Sequence, residues 1–259
     1  MAPTARWYSS KSSGNGGRPI FVMRDRGTES FRFFTEERNR LFGLNSLVVT
    51  KVIAEFNEDV AQITGNVPKE RQRPLPSFEE LAEYRDKQMR YADYVQLALE
   101  LTYCRVADSY NRYIAALLRE ILTLHPPLRR RSSPGESLPI SYQVEKEVRS
   151  LGGGVQKFAE AVQKRYGIAV FQDQVEGHEI DQILETRHVF IHNHGLLDHR
   201  SLEKLGLPES QIGVRIPLTG RDVGRALDVV SRSAEALDER AAKRFKLPVN
   251  AVPPVRTKA

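Results

Sequence analysis

A single cysteine, Cys104, in a chain of 259 residues excludes an internal disulfide and any zinc site built from several thiolates. It also fits a reducing compartment. No stretch approaches the roughly 18 consecutive apolar residues of a membrane span, and the amino-terminal residues lack the apolar centre of a secretory signal. A cytoplasmic chain with no membrane contact is the expectation. Proline and glycine are missing altogether between Leu81 and Leu124, which leaves that stretch free to be helical. What is present suffices for a core, since 40% of the residues are hydrophobic. The formal charge of +6 suits an anionic partner, although an excess of this size is common in proteins that bind nothing acidic.

Residues 1–30 are rich in Ser, Gly, Arg and Lys, too poor in apolar surface to offset the entropy of ordering, and read as a flexible arm. Within it, Ile20, Phe21 and Val22 form a short apolar run, and Trp7 has no assigned role. From Phe33 to Ile63 the residues Leu41, Leu44, Val48, Val52, Phe56, Val60 and Ile63 recur every three or four positions, the period of a helix. Gly65, Asn66 and Pro68 end it, and 69–76 reads as a linker. Ser77 with Glu80 is a capping-box pair for a helix whose apolar face is Leu97, Leu101, Tyr113, Leu117, Leu118 and Ile121. One helix of that length is unusual, so a break is expected near Arg90 to Asp93. Tyr84, Tyr91, Tyr94, Tyr103, Tyr110 and Tyr113 read as core or dimer interface, with stacking on bases as the alternative.

The run from Arg129 to Gly135 is basic and helix-breaking. A solvated linker is its default reading, with Arg129, Arg130 and Arg131 as candidate contacts to a phosphate backbone. Pro139 to Leu151 and Val155 to Tyr166 read as two helices split by Gly152, Gly153 and Gly154. Those glycines lack the Lys and Ser/Thr of a nucleotide loop, so they read as a hinge. Ile212 to Pro217 reads as a short extended piece. Thr219 with Asp222 is a second capping box, opening a last helix carried by Val223, Leu227, Val230, Ala234, Leu237 and Ala241. Lys246 to Ala259 reads as a tail. The sum is an all-α chain: an arm (1–30), an N-terminal helix and linker (31–76), a helical domain (77–247) and a C-terminal tail (248–259).

The most informative stretch runs from Glu185 to Gly195 and holds three of the six histidines. Ile180, Ile183, Leu184 and Ile191 fall on one helical stripe, and Arg187 falls near its middle, where an amphipathic helix normally carries Leu or Ile. A buried arginine needs a carboxylate, a cavity, a second subunit or an anionic ligand. An ordinary ion pair for Arg187 and structural roles for His188 and His192 are the plain alternatives. Asn193 and Gly195 tolerate a left-handed backbone, so the helix is expected to end near His192 and to leave that ring accessible.

Arg187, a polar residue after it (His188), three apolar residues, then His192, Asn193 and Gly195 resemble the signature of HEPN-domain ribonucleases, in which four to six residues stand between an Arg and a His. The resemblance implies a HEPN-like helical bundle with an N-terminal helical extension and flexible termini. It further implies a metal-independent endoribonuclease of a toxin–antitoxin or phage-defence system, with no cofactor and no metal. Arg187 and His192 are the implied catalytic residues. His188, Asn193, His194 and His199 are the implied supporting or substrate-contacting residues, His188 orienting Arg187 or touching substrate. Arg129 to Arg131 would then meet RNA. Because residues five apart on a helix diverge by about 140°, Arg187 and His192 of one chain do not readily meet one phosphate. The resemblance answers this with a homodimer, or a heterodimer with another HEPN chain, whose two motifs line one cleft. An antitoxin or other regulator is an expected partner.

Two other classes compete. A metal hydrolase would use His188 and His192 with Asp198 or His199, but Val189 stands where a His-Glu-x-x-His helix has its glutamate. A non-catalytic helical binding or regulatory module would need neither Arg187 nor His192.

Overall fold

The computed structural model describes residues 26–63, 78–133, 136–151 and 154–251, with side chains at 26–44, 46–47, 93–130, 138–149 and 154–250. Seven α-helices dominate these residues: α1 (Glu29–Ile63), α2 (Phe78–Leu124), α3 (Ile140–Leu151), α4 (Val155–Tyr166), α5 (Gln174–His192), α6 (His199–Leu205) and α7 (Gly220–Phe245). Among the described residues, strand pairing comprises two ribbons and one isolated antiparallel bridge, Leu196–Arg215, whose Arg215 lies within the stretch expected to be extended. Strands β1 (Arg26–Gly27) and β4 (Asn250–Ala251) pair antiparallel, as do β2 (Arg131–Ser133) and β3 (Glu136–Ser137). The fold is all-α. Among the described residues no helix is long and apolar enough to cross a membrane.

Helix α2 is the spine, packed by α1, α7, α3 and α5. It runs unbroken through the expected break at Arg90 to Asp93. No residue there forces an interruption, and Lys87, Gln88, Met89, Arg90 and Ala92 are all good helix formers. At 47 residues it is about 70 Å long. Its buried face differs from the one expected over the middle of the helix. Leu97 and Leu101 are 49% and 63% exposed, while Leu99, Tyr103, Val106 and Tyr110 are buried. Leu97 and Leu101 each lie about 200° around the helix from Leu99. The neighbouring helices select the Leu99 face, and periodicity alone does not say which of two apolar stripes will be covered. From Tyr113 to Ile121 the expected stripe is buried.

The N-terminal helix belongs to the same core. Phe31, Phe34 and Leu41 are buried together with Tyr113 of α2, whereas Phe42, Leu44 and Leu47 face outward. The side chains of Val48, Val52, Phe56, Val60 and Ile63 lie outside the described set, as do Trp7, Ile20 to Val22 and the Ser77 cap. Two segments read as arm and tail are structured at their inner ends. Thr28, fully buried, gives its backbone N–H to Asp238 Oδ2 at 3.1 Å and its hydroxyl to Oδ1 at 2.5 Å. Leu247 is buried, and β4 beyond it pairs with β1. Both ends of the described chain are therefore tied to α7.

Helix α7 matches its sequence pattern. Thr219 and Asp222 form the reciprocal capping box, and Val223, Leu227, Val230, Ala234, Leu237 and Ala241 are all buried. Its polar core residues are satisfied: the Tyr110 hydroxyl pairs with Ser233 Oγ at 2.9 Å, and the Tyr113 hydroxyl donates to the Ala234 carbonyl at 3.0 Å. Each such buried bond contributes about 1 kcal/mol net and would cost more if left unmade.

Candidate functional site

Helix α5 starts at Asp173, whose carboxylate accepts from the Glu176 N–H at 2.8 Å. The Glu176 carboxylate in turn accepts from the Gln172 N–H at 2.7 Å. The helix buries Ile180, Ile183, Thr186, Val189 and Phe190, with Phe190 meeting Tyr103 of α2 edge-on at 6.1 Å. The covered stripe is thus rotated from the expected one: Ile191 is 42% exposed, and Arg187 sits at the edge facing α2 instead of mid-face. The helix ends at His192, as expected. The left-handed residues are His194 (φ 52°) and Gly195 (φ 81°), while Asn193 keeps φ at −117°. A Cβ on Gly195 would meet Phe190 Cδ1 at 3.2 Å and Arg215 Cγ at 3.3 Å. Asn193 donates its side-chain amide to Asp198 Oδ2 at 2.8 Å, and Asp198 caps α6 through a capping box with Ser201. The turn that presents His192 is therefore fixed from both sides.

The candidate residues divide between two faces of α5. Glu185, His188 and His192, spaced by three and four, form the stripe towards α6, where Lys204 Nζ contacts Glu185 Oε2 at 2.7 Å. The His188 and His192 rings lie 4.5 Å apart, inclined by 45°. Partial desolvation is the main cause that pushes the His188 pKa below the usual imidazole value. The charges of His192, Arg200 and Lys204 add to it, against the opposing pull of Glu185. Arg187 turns about 100° away, to α2. Its Nε donates to Asp108 Oδ1 at 3.1 Å and its Nη2 lies 3.0 Å from the same oxygen, with the two side chains 28% and 33% exposed. Asp108, not His188, orients this guanidinium. One turn before Asp108 on α2, burial raises the Cys104 thiol pKa to about 11, although the Arg187 charge pulls it down. That thiol stays protonated near neutrality.

Other candidates are placed as follows. His194 is exposed in its left-handed turn, and His199 is the exposed first residue of α6. Arg129 caps the end of α2, giving Nε to the Leu122 carbonyl at 2.8 Å and Nη2 to Thr123 at 3.2 Å. Arg130 Nη2 donates to Glu147 at 2.9 Å and its backbone N–H to Gln143 at 2.7 Å. Two of the three loop arginines are thus engaged internally. The Arg131 side chain lies outside the described set. His125 is structural, its Nε2 lying 2.8 Å from the Phe245 carbonyl.

Four residues that the spacing argument left aside take part: Asp108, Glu185, Arg200 and Lys204. Asp108 lies 79 residues from Arg187 in the chain, and no local pattern announces it. Arg200 and Lys204 carried a readable signal, a basic pair four apart on the helix just after the histidines. Asp198 spends its carboxylate on Ser201 and Asn193. Among the described residues no group of three His, Cys, Asp or Glu side chains is placed to hold a metal ion. A separate groove of about 670 Å³, lined by Tyr103, Ile183, Thr186, Leu207, Leu218 and Arg221, opens along another side of α5. Comparison with protein-family models, with curated proteins and with solved structures finds no match for this chain.

Proposed function

We propose that this chain is a metal-independent endoribonuclease of the HEPN type, acting as a homodimer in a toxin or phage-defence setting. The observation that carries the reading is the His188–His192 ring pair at 4.5 Å, standing at an open helix end with Arg187 on the adjoining face. Cleavage of RNA by its own 2′-hydroxyl needs two proton transfers. The hydroxyl gives up a proton as its oxygen bonds to phosphorus. The P–O5′ bond then breaks, and the departing 5′-oxygen takes a proton. A ring whose neutral form is favoured by burial, as for His188, suits the first step, and His192 is the ring assigned to the second. The planar guanidinium of Arg187 suits the charge that grows on the phosphoryl oxygens. The products are a 2′,3′-cyclic phosphate and a 5′-hydroxyl.

Arg187 and His192 lie on different faces of α5, so a second copy related by a two-fold axis is what would bring one chain's Arg187 towards the other's histidines. The decisive experiment is cleavage of mixed cellular RNA and tRNA in EDTA by the wild type and by His192→Ala, with product ends mapped. Cyclic-phosphate ends from the wild type alone support the reading. Equal behaviour of two folded, dimeric proteins would overturn it.

One observation favours a second reading. The charge of Arg187 is already met by Asp108 within its own chain, as it would be in a non-catalytic helical binding or regulatory module. That reading expects Arg187→Ala and His192→Ala to leave the biological effect intact.

A further inference from the structure

Helices α5 and α6 run back to back, joined by the short turn Asn193–Asp198. The Lys204–Glu185 contact at 2.7 Å fixes their register. Moving one turn towards the turn from that contact leads to His188 on α5 and to Arg200 on α6, four residues before Lys204 and on the same face. Arg200 is thereby placed on the α6 face that carries Lys204, towards the ring pair, and its charge is among those felt by His188.

The other cations near the rings are already engaged. Lys204 serves Glu185, a carboxylate only 5% exposed, and Arg187 serves Asp108. Arg200 is exposed and takes no part in the ion pairs of the described residues. Two imidazoles and a guanidinium outside the ion pairs of the described residues, on one accessible surface, form an arrangement suited to a phosphodiester: a planar fork for the non-bridging oxygens and two rings for the bridging ones.

We propose that Arg200 is the residue that holds the scissile phosphate of RNA against His188 and His192, in the same chain as those rings. This rests on the ribonuclease reading above and adds to it a phosphate-binding residue outside the Arg187–His192 pair.

The test has two independent arms. In the first, cleavage of a short labelled RNA is followed for wild type, Arg200→Ala, Arg200→Lys and, as a control for general charge, Arg221→Ala, which lies at the start of α7. Arg200→Ala is expected to lower kcat/KM by roughly 10- to 100-fold, mostly through KM. The slope of log kcat/KM against log salt should flatten by about one unit. Arg200→Lys should recover part of the loss, and Arg221→Ala should behave as wild type. In the second arm, inorganic phosphate is titrated into each protein while the His188 and His192 ring protons are followed by NMR. Phosphate should shift both rings in the wild type and in Arg221→Ala, with at least tenfold weaker binding in Arg200→Ala.

Equal losses for Arg200→Ala and Arg221→Ala in either arm would overturn the proposal, as would an Arg200→Ala protein that cleaves with wild-type kcat/KM and salt slope. An Arg200-dependent phosphate response in a wild type that cleaves no RNA would overturn the ribonuclease reading and leave the phosphate site standing.

Discussion

Arg187 donates its Nε–H to Asp108 Oδ1 at 3.1 Å, and its Nη2 lies 3.0 Å from that same oxygen in an ion pair. The second carboxylate oxygen is left out of the contact, so the guanidinium is anchored along one edge and keeps its outer edge open. A pair with each side chain roughly one-third exposed is screened by solvent and stabilises the fold by less than about 1 kcal/mol. Its worth to the protein is therefore better sought in orientation than in stability.

The first prediction follows from that difference. Arg187→Ala and Asp108→Ala should each lower unfolding free energy by less than about 1 kcal/mol in urea titrations. Arg187→Ala should abolish RNA cleavage, by a factor of 100 or more, as expected for a lost transition-state contact. Asp108→Ala keeps the guanidinium but frees its orientation, and should lower the rate by roughly tenfold, as expected for a misplaced group. A stability loss of several kcal/mol in Arg187→Ala would make the pair a structural strut and count against a role in chemistry.

The depressed pKa of His188 gives a pH prediction with a definite sign. Its folded value lies below the ordinary imidazole value near 6.5, chiefly through desolvation, with His192, Arg200 and Lys204 adding to it and Glu185 opposing. The stabilisation that belongs to the neutral ring is thus present above about pH 6.5 and is lost as pH falls through the folded value. If His188 takes the proton from the 2′-hydroxyl, the acid limb of the cleavage profile should lie below pH 6.5. Lys204→Met should move that limb upward, because it removes one repelling charge and unmasks Glu185. Ring-proton titration of His188 in the two proteins checks the shift directly. An unchanged or lowered His188 value in Lys204→Met would contradict the charge arrangement described above.

Some of this was legible in the sequence, and the reasons differ from element to element. The Thr219–Asp222 box and the α7 stripe are local patterns, since capping and 3.6-residue periodicity are set within one element, and both were readable. The end of α5 at His192 was readable for the same reason, though the left-handed positions fell on His194 and Gly195 and not on Asn193. Leu97 and Leu101 misled because α2 carries apolar residues on opposite faces, and only its neighbours decide which face is covered. Asp108 was invisible as the partner of Arg187, because an ion pair between distant elements leaves no trace in spacing. Arg129 and Arg130 illustrate the same limit. A basic loop looks like a nucleic-acid contact until its carbonyl and carboxylate partners are located, Leu122 and Glu147 among them.

Asp238 is fully buried and receives two hydrogen bonds from Thr28, which hold the start of α1 onto α7. Asp238→Ala strands a buried N–H and a hydroxyl and opens a small cavity. The expected cost is about 3 kcal/mol, or a fall in Tm of roughly 6–12 °C for a chain of this size. Asp238→Asn, which keeps the shape and can still accept one bond, should cost less. Calorimetry on the two variants measures both. A near-neutral Asp238→Ala would mean that the amino-terminal end of α1 does not depend on this tie.

Asp198 offers a prediction that separates charge from geometry at the turn beside His192. Its carboxylate accepts from the Ser201 hydroxyl and N–H and from the Asn193 amide, and these bonds bring its pKa down to about 2. The folded value is below the unfolded one, so the stabilisation is present above about pH 4 and is lost as pH falls towards 2. Because the side chain is exposed, the cap should be worth about 1 kcal/mol, near the usual value for an N-cap, and not the full amount that the shift alone would suggest. Asp198→Ala should therefore lower Tm by roughly 2–4 °C at pH 7, and its deficit against the wild type should shrink as both are titrated from pH 4 to pH 2. A deficit that stays constant over that range would show that the turn is held by its backbone conformation, with the carboxylate charge contributing nothing.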